Sequence, residues 1–224
     1  MRTKVNILVG GFALGLITCG WLRTQSGAAG IAGTLSEFAT PLYIGLAVAA
    51  AFSFIRAGVP VRRLGFFINS RPIVYLALAA TGVGLLQLSG LVLEPLWEQL
   101  FGAGRDLNRF KDVGGSVSAL VATLALSWTF AAVGEELTFR ILLMRGLAYA
   151  LGDSRIAFGA ALVLQAAIFG LVHAYQGPAG IAGATISGLV FGALTLAARG
   201  SIWPAVLAHG FNNTIGLLQL YQGG

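Results

Sequence analysis

The chain has two histidines and one adjacent pair of glutamates, and all four residues lie inside apolar runs. The histidines are His173 and His209, and the pair is Glu135-Glu136. Arg140 follows the pair in the same run, and Asn212 and Asn213 follow His209. A charged side chain in hydrocarbon costs about 2.5–3.5 kcal/mol on insertion scales. Residues kept there against that cost point to chemistry. Residues four apart share a helix face. Glu136 and Arg140 can therefore form a salt bridge, His209 and Asn213 can enter one pocket, and Phe169 can wall the site beside His173. Glu135 lies about 100° round the helix from Glu136, so the two carboxylates can have different partners.

This set suits hydrolysis of an amide bond. A glutamate that takes a proton from water, with a histidine holding that water, makes a nucleophile. A second histidine and an asparagine can donate to the oxyanion of a tetrahedral intermediate. A metal version is equally drawable. Glu135, His173 and His209 would be a catalytic zinc-type set of one Glu and two His, with a position open for water. His-Glu-x-x-His is absent, so the zinc protease helix built on that motif is not its source. The residues leave both versions open. No serine route competes: there is no Gly-x-Ser-x-Gly elbow, and Asp106, Asp112 and Asp153 all fall in loops. Cys19, the one cysteine, lies in the first apolar run and offers no disulfide framework.

Three ordered motifs carry a family resemblance. Glu135-Glu136-Leu137-Thr138-Phe139-Arg140 reads E-E-x-x-x-R, Phe169 to His173 reads F-x-x-x-H, and His209 to Asn213 reads H-x-x-x-N. Their order and spacing over residues 113–216 resemble the CPBP intramembrane proteases, also called the CAAX protease and bacteriocin-processing or Abi family. The resemblance implies that Glu135 and His173 activate water. It implies that His209 and Asn213 hold the oxyanion, and that Glu136 and Arg140 support the site. It also implies a membrane-associated peptide or protein as substrate. Where many members have Gly after the arginine, this chain has Ile141, a change expected to act on the substrate groove more than on the chemistry.

The elements that must position these residues are membrane helices. Of the 224 residues, 57% are hydrophobic and only 10% are charged, against about a quarter in soluble domains. Mean hydropathy is +0.84. A soluble domain of this length has too little interior to hide such a surface, which excludes a soluble enzyme, a nucleic-acid binder and a disordered protein. The net charge of +6 sits mostly between apolar runs, as in multi-span proteins. We expect an all-α polytopic bundle of seven to eight spans, near residues 6–22, 38–55 and 73–93, then a short lead-in helix and a long fourth span within 113–151, and further spans near 156–174, 179–198 and 202–221. An eighth helix near 98–118 would be the extra one. The third span should end at the polar, aromatic edge of Glu94, Pro95, Trp97 and Glu98. Gly114-Gly115 should break the chain before the long fourth span, and Gly152-Asp153 should turn it into the fifth. About that turn, Glu135 and His173 come within about 5 Å of one height at 1.5 Å per residue.

Residues 1–112 read as N-terminal helices and 113–224 as the catalytic core. The first helix is expected to be retained rather than cleaved as a signal or lipoprotein leader. Arg2, Lys4, Arg56, Arg62, Arg63, Arg71, Arg155 and Arg199 fall on one side if the N-terminus is cytoplasmic, giving a multi-pass protein of the cell membrane. Arg23, Arg105 and Arg109 then lie outside with acidic neighbours. Gly180, Ala184, Gly188 and Gly192 form a small-residue face for helix packing or for a dimer. Two other functions compete: a non-enzymatic membrane factor, such as a bacteriocin self-immunity or peptide-binding protein, and a proton-coupled transporter. The absence of repeated halves speaks against the transporter.

Overall fold

The computed structural model describes residues 2–26, 30–56, 67–68 and 72–223. Every regular element among them is helical. The order is α1 (Arg2–Thr24), α2 (Ile31–Ser36), α3 (Ala39–Arg56) and α4 (Pro72–Phe101), then a 3₁₀ turn (Asn108–Val113). A continuous helix follows over Val117–Ala150. It begins as α5 (Val117–Leu126), runs through π-helical segments Ser127–Glu135 and Leu137–Met144, and ends as α6 (Arg145–Ala150). The chain closes with α7 (Arg155–Val172), a 3₁₀ turn (Ala174–Gln176), α8 (Gly177–Ala197) and α9 (Trp203–Gln222).

Five of these are long and apolar enough to cross a membrane: Asn6–Thr24, Pro72–Phe101, Val117–Ala150, Arg155–Val172 and Ala174–Ala197. The chain is a multi-pass membrane protein, but the expected seven to eight spans are not reached among the described residues. Two helices make the difference. In α3 the apolar part is short, Ala39–Ala50. In α9 the length suffices at 20 residues, but His209, Asn212, Asn213 and two glutamines dilute its apolar character. The extra helix considered near 98–118 is absent, since α4 stops at Phe101 and one 3₁₀ turn follows. The expected end of the third span is also corrected. The helix continues through Pro95. A proline removes one backbone donor, and the last turn is held by Trp97 stacked on Phe101, ring centroids 6.0 Å apart.

The breaks fall where the sequence puts them. Gly115, Gly152 and Asp153 have φ of 64°, 113° and 55°, a region costly for most residues but open to glycine and tolerated by aspartate. Ser154 then caps α7 by accepting from the Ala157 amide at 3.1 Å.

The core joins the two ends of the chain. Phe12, Leu16 and Cys19 of α1 and Tyr43 of α3 pack with Phe139, Leu142, Phe169 and Val172. Close approach is needed at Gly20, where a Cβ would stand 2.6 Å from Val172 Cα. The small-residue face of α8 meets α7: a Cβ on Gly188 would stand 2.9 Å from Ala166 Cα. That face therefore serves packing within the bundle. In contrast, Leu76, Leu85, Leu88, Leu91 and Val92 of α4 are exposed, as lipid-facing side chains are.

Candidate active site

Glu135 ends one π-helical segment of the long helix, and Glu136 is the single residue between it and the next. Its wider turns, bonded i to i+5, hold more residues each, so successive side chains are separated by less than the α-helical angle. Such segments are frequent at functional sites. The two carboxylates nevertheless have different surroundings. Glu136 is fully buried and Glu135 is half-buried.

Glu136 has two partners. Its Oε2 lies 2.9 Å from Arg140 Nε, the pair the spacing predicts. Its Oε1 lies 2.9 Å from His209 Nδ1, a contact that no spacing reveals because α9 delivers it. Arg140 is also fully buried, and its Nη1 and Nη2 have no hydrogen-bond partner among the described residues. Its guanidinium instead lies 4.7 Å from the Phe169 ring centroid, 5.3 Å from Phe191 and 5.8 Å from Phe139. Desolvated cation–π contacts reach about 2 kcal/mol or more. Together with the ion pair they hold this charge inside the bundle.

His209 stacks on Phe191 at 4.6 Å, with 13° between the rings, and meets Phe169 edge-on at 6.3 Å. Three elements thus fix one imidazole: the long helix through the hydrogen bond to Glu136, α7 and α8 by ring contacts. Gly210 lets α9 come this close, since a Cβ there would stand 2.4 Å from the Trp128 ring. One turn on, Asn213 Nδ2 donates to Ser127 Oγ at 3.1 Å. Asn212 instead faces α4 and accepts from Gln87 Nε2 at 2.9 Å. Sequence reasoning missed Phe191 and Ser127. Ser127 left a signal as a polar residue inside an apolar run, but Phe191 left none.

His173 ends α7, with its Nδ1 2.8 Å from the carbonyl oxygen of Phe169. A carbonyl only accepts, so Nδ1 carries the proton and Nε2 keeps a lone pair. The Phe169 ring is 4.7 Å from the His173 ring, so Phe169 stands between the two histidines as their shared wall. The Glu135 carboxylate acts electrostatically on His173 and on Tyr43 and Tyr175. Phe169 thus touches both histidine rings and the Arg140 guanidinium, with Asn213 one turn beyond His209.

The sequence draws Glu135, His173 and His209 as one possible ligand set. Among the described residues no three side chains of His, Cys, Asp or Glu stand close enough together to hold a metal ion.

Comparison with known proteins agrees with the motifs. Residues 116–215 match the family model described as type II CAAX prenyl endopeptidase Rce1-like. The matched stretch contains all three motifs and is a little under half of the 224 residues. It is consistent with the CPBP resemblance and supports an intramembrane endopeptidase in general. No curated protein and no solved structure matches the chain.

Proposed function

We propose that the protein hydrolyses a peptide bond of a membrane-associated protein or peptide, by CAAX-type processing or a related cleavage. Water is activated by Glu135 and His173, and the oxyanion is held by His209 and Asn213. The observation that supports this reading most is the separation of roles by burial. A half-buried Glu135 acts on His173, while a fully buried Glu136 is spent on Arg140 and His209.

One water can donate to both Glu135 and His173 Nε2, leaving an oxygen lone pair for the substrate carbonyl. As the oxygen bonds to the carbonyl carbon, the water proton passes to Glu135 and the carbonyl electron pair moves to oxygen. His209 must donate to stabilise that charge. With Nδ1–H on Glu136, it does so as an imidazolium through Nε2–H. Asn213 uses one amide hydrogen on Ser127 and has a second for the oxyanion. Collapse of the intermediate breaks the C–N bond, and the leaving amine takes the proton back from Glu135. Only this chain's own residues are needed for these steps. Residues 113–224 form the catalytic core, and residues 1–112 supply helices that wall it.

Asn213→Ala is expected to lower turnover of a cleavable membrane peptide by about 10²–10³, the usual worth of one oxyanion donor. New amino termini released by the purified protein in lipid vesicles measure this. Parental turnover by the variant would remove Asn213 from the mechanism. Parental protein that binds such peptides without cutting any would favour the binding-factor reading.

We place the N-terminus in the cytoplasm of a cell-membrane protein, on the charges of the early loop and of Arg155 and Arg199. Arg62, Arg63 and Arg71 lie outside the described residues. Cys19 is buried, so a single added thiol reports orientation. Arg63→Cys should react with an impermeant maleimide only after permeabilisation, and labelling of intact cells would reverse the topology.

A further inference from the structure

Arg23 is the basic residue of the last turn of α1, expected from the sequence to be a plain loop charge. The structure places it at the His173 end of the site. Its guanidinium lies 5.3 Å from the Tyr43 ring centroid and 5.9 Å from that of Tyr175. Its Nε is buried and has no hydrogen-bond partner among the described residues. Its charge reaches His173. Tyr175 sits in the 3₁₀ turn that follows His173, with the two rings 5.9 Å apart.

A second guanidinium meets the same tyrosine. Arg109, in the 3₁₀ turn Asn108–Val113, lies 5.5 Å from the Tyr175 ring centroid. The loop that carries it is tied to the site by the Asp106 amide, which donates to the Gln176 carbonyl at 3.0 Å. The third arginine of this end, Arg105, is already neutralised by Glu94 at 2.5 Å. Arg23 and Arg109 have no carboxylate at ion-pair distance among the described residues. Glu136 and Arg140 cancel each other, and Asp106, in the loop beside Arg109, accepts from the Asn108 amide at 2.9 Å and pairs with neither arginine.

We propose that Arg23 and Arg109 are specificity residues that recognise a carboxylate of the substrate peptide close to the scissile bond. This rests on the endopeptidase reading above. An arginine fork pairs with a carboxylate through parallel charge-assisted hydrogen bonds, and two forks on one tyrosine define a seat beside the water-activating pair. An arginine at a helix end can also reach a lipid phosphate. The geometry favours the peptide, because Arg23 turns its Nε into the bundle between Tyr43 and Tyr175, next to His173.

The test uses the full chain in phosphatidylcholine vesicles and one cleavable membrane peptide in four forms. Its C-terminus is a free acid or an amide, and a residue following the scissile bond is Glu or Gln. Binding is measured in the Glu135→Gln background, so it does not depend on turnover, and kcat/KM is measured in the parent. We expect about tenfold tighter binding of one acidic form over its neutral match, the worth of one hydrogen bond to a charged group. The same preference should appear in KM rather than kcat. Arg23→Gln should bring the ratio close to one, Arg23→Lys should keep part of it, and Arg109→Gln should have the smaller effect because Arg109 is exposed. Which pair shows the preference tells a terminal from a side-chain carboxylate. Equal handling of all four peptides by the parent would overturn the proposal, even if every one is cleaved. An equal loss on acidic and neutral forms in Arg23→Gln would overturn it too. So would an Arg23 effect that appears only when anionic lipid is added. If nothing is cleaved, the endopeptidase reading fails alone, and the binding ratios still decide the carboxylate seat.

Discussion

Glu135→Gln should lower turnover of a membrane peptide by about 10²–10⁴, the usual worth of general-base help, while the protein folds and binds as the parent does. The amide matches the carboxylate in size but cannot take a proton from water. His173 holds the same water through its Nε2 lone pair, with Nδ1–H on the Phe169 carbonyl 2.8 Å away, so the turnover left in the variant is what this imidazole supplies as a base alone. Stability should change little. Glu135 is half-buried and makes no ion pair among the described residues, so its neutralisation strands no partner. The measurement is single-turnover cleavage, with peptide binding and thermal unfolding followed on the same preparation. Cleavage within a few-fold of parental would refute the activated-water role of Glu135. A variant that also loses binding or unfolds early would show Glu135 to be structural.

The contrast between the two adjacent glutamates was only half legible in the sequence. The spacing of Glu136 and Arg140 predicts their ion pair, and the depth of Glu135 predicts a neighbour in His173. Motif order shows which helices must converge. The contact of Glu136 with His209 joins residues far apart in the chain, and no periodicity encodes it. The stack of Phe191 on His209 is equally hidden, because a phenylalanine in an apolar helix reads as core. The π-helical stretch is invisible for another reason: its sequence is ordinary for an α-helix, and the change lies in which carbonyl each amide meets. The span expected at α9 is a 20-residue helix whose hydropathy falls short of a spanning segment for a functional reason. The polar side chains that lower its hydropathy include the two assigned to the oxyanion. Arg23 illustrates the limit of charge counting, which assigns a residue to a side of the membrane but not to the tyrosines it meets.

Glu136→Ala should damage folding first and activity with it. One carboxylate serves two cationic or donating partners here, Arg140 Nε and His209 Nδ1, each at 2.9 Å. Removing it leaves the Arg140 guanidinium fully buried with only aromatic faces around it. Breaking a buried pair from one side typically costs about 3–5 kcal/mol, a large share of an ordinary folding free energy. The expected result is low yield and early unfolding in detergent. Removing both charges separates the two roles of Glu136. In Glu136→Leu with Arg140→Met the stranded charge is gone and apolar volume fills the space, an exchange that is often neutral or stabilising. The double variant should therefore recover most of the yield and thermal stability. It should stay inactive, because His209 keeps its stack on Phe191 but loses the carboxylate that holds its Nδ1–H and balances an imidazolium. A double variant that regained turnover with its stability would reduce Glu136 to a counter-ion for Arg140. A single Glu136→Ala variant as stable as the parent would refute the buried-pair argument itself.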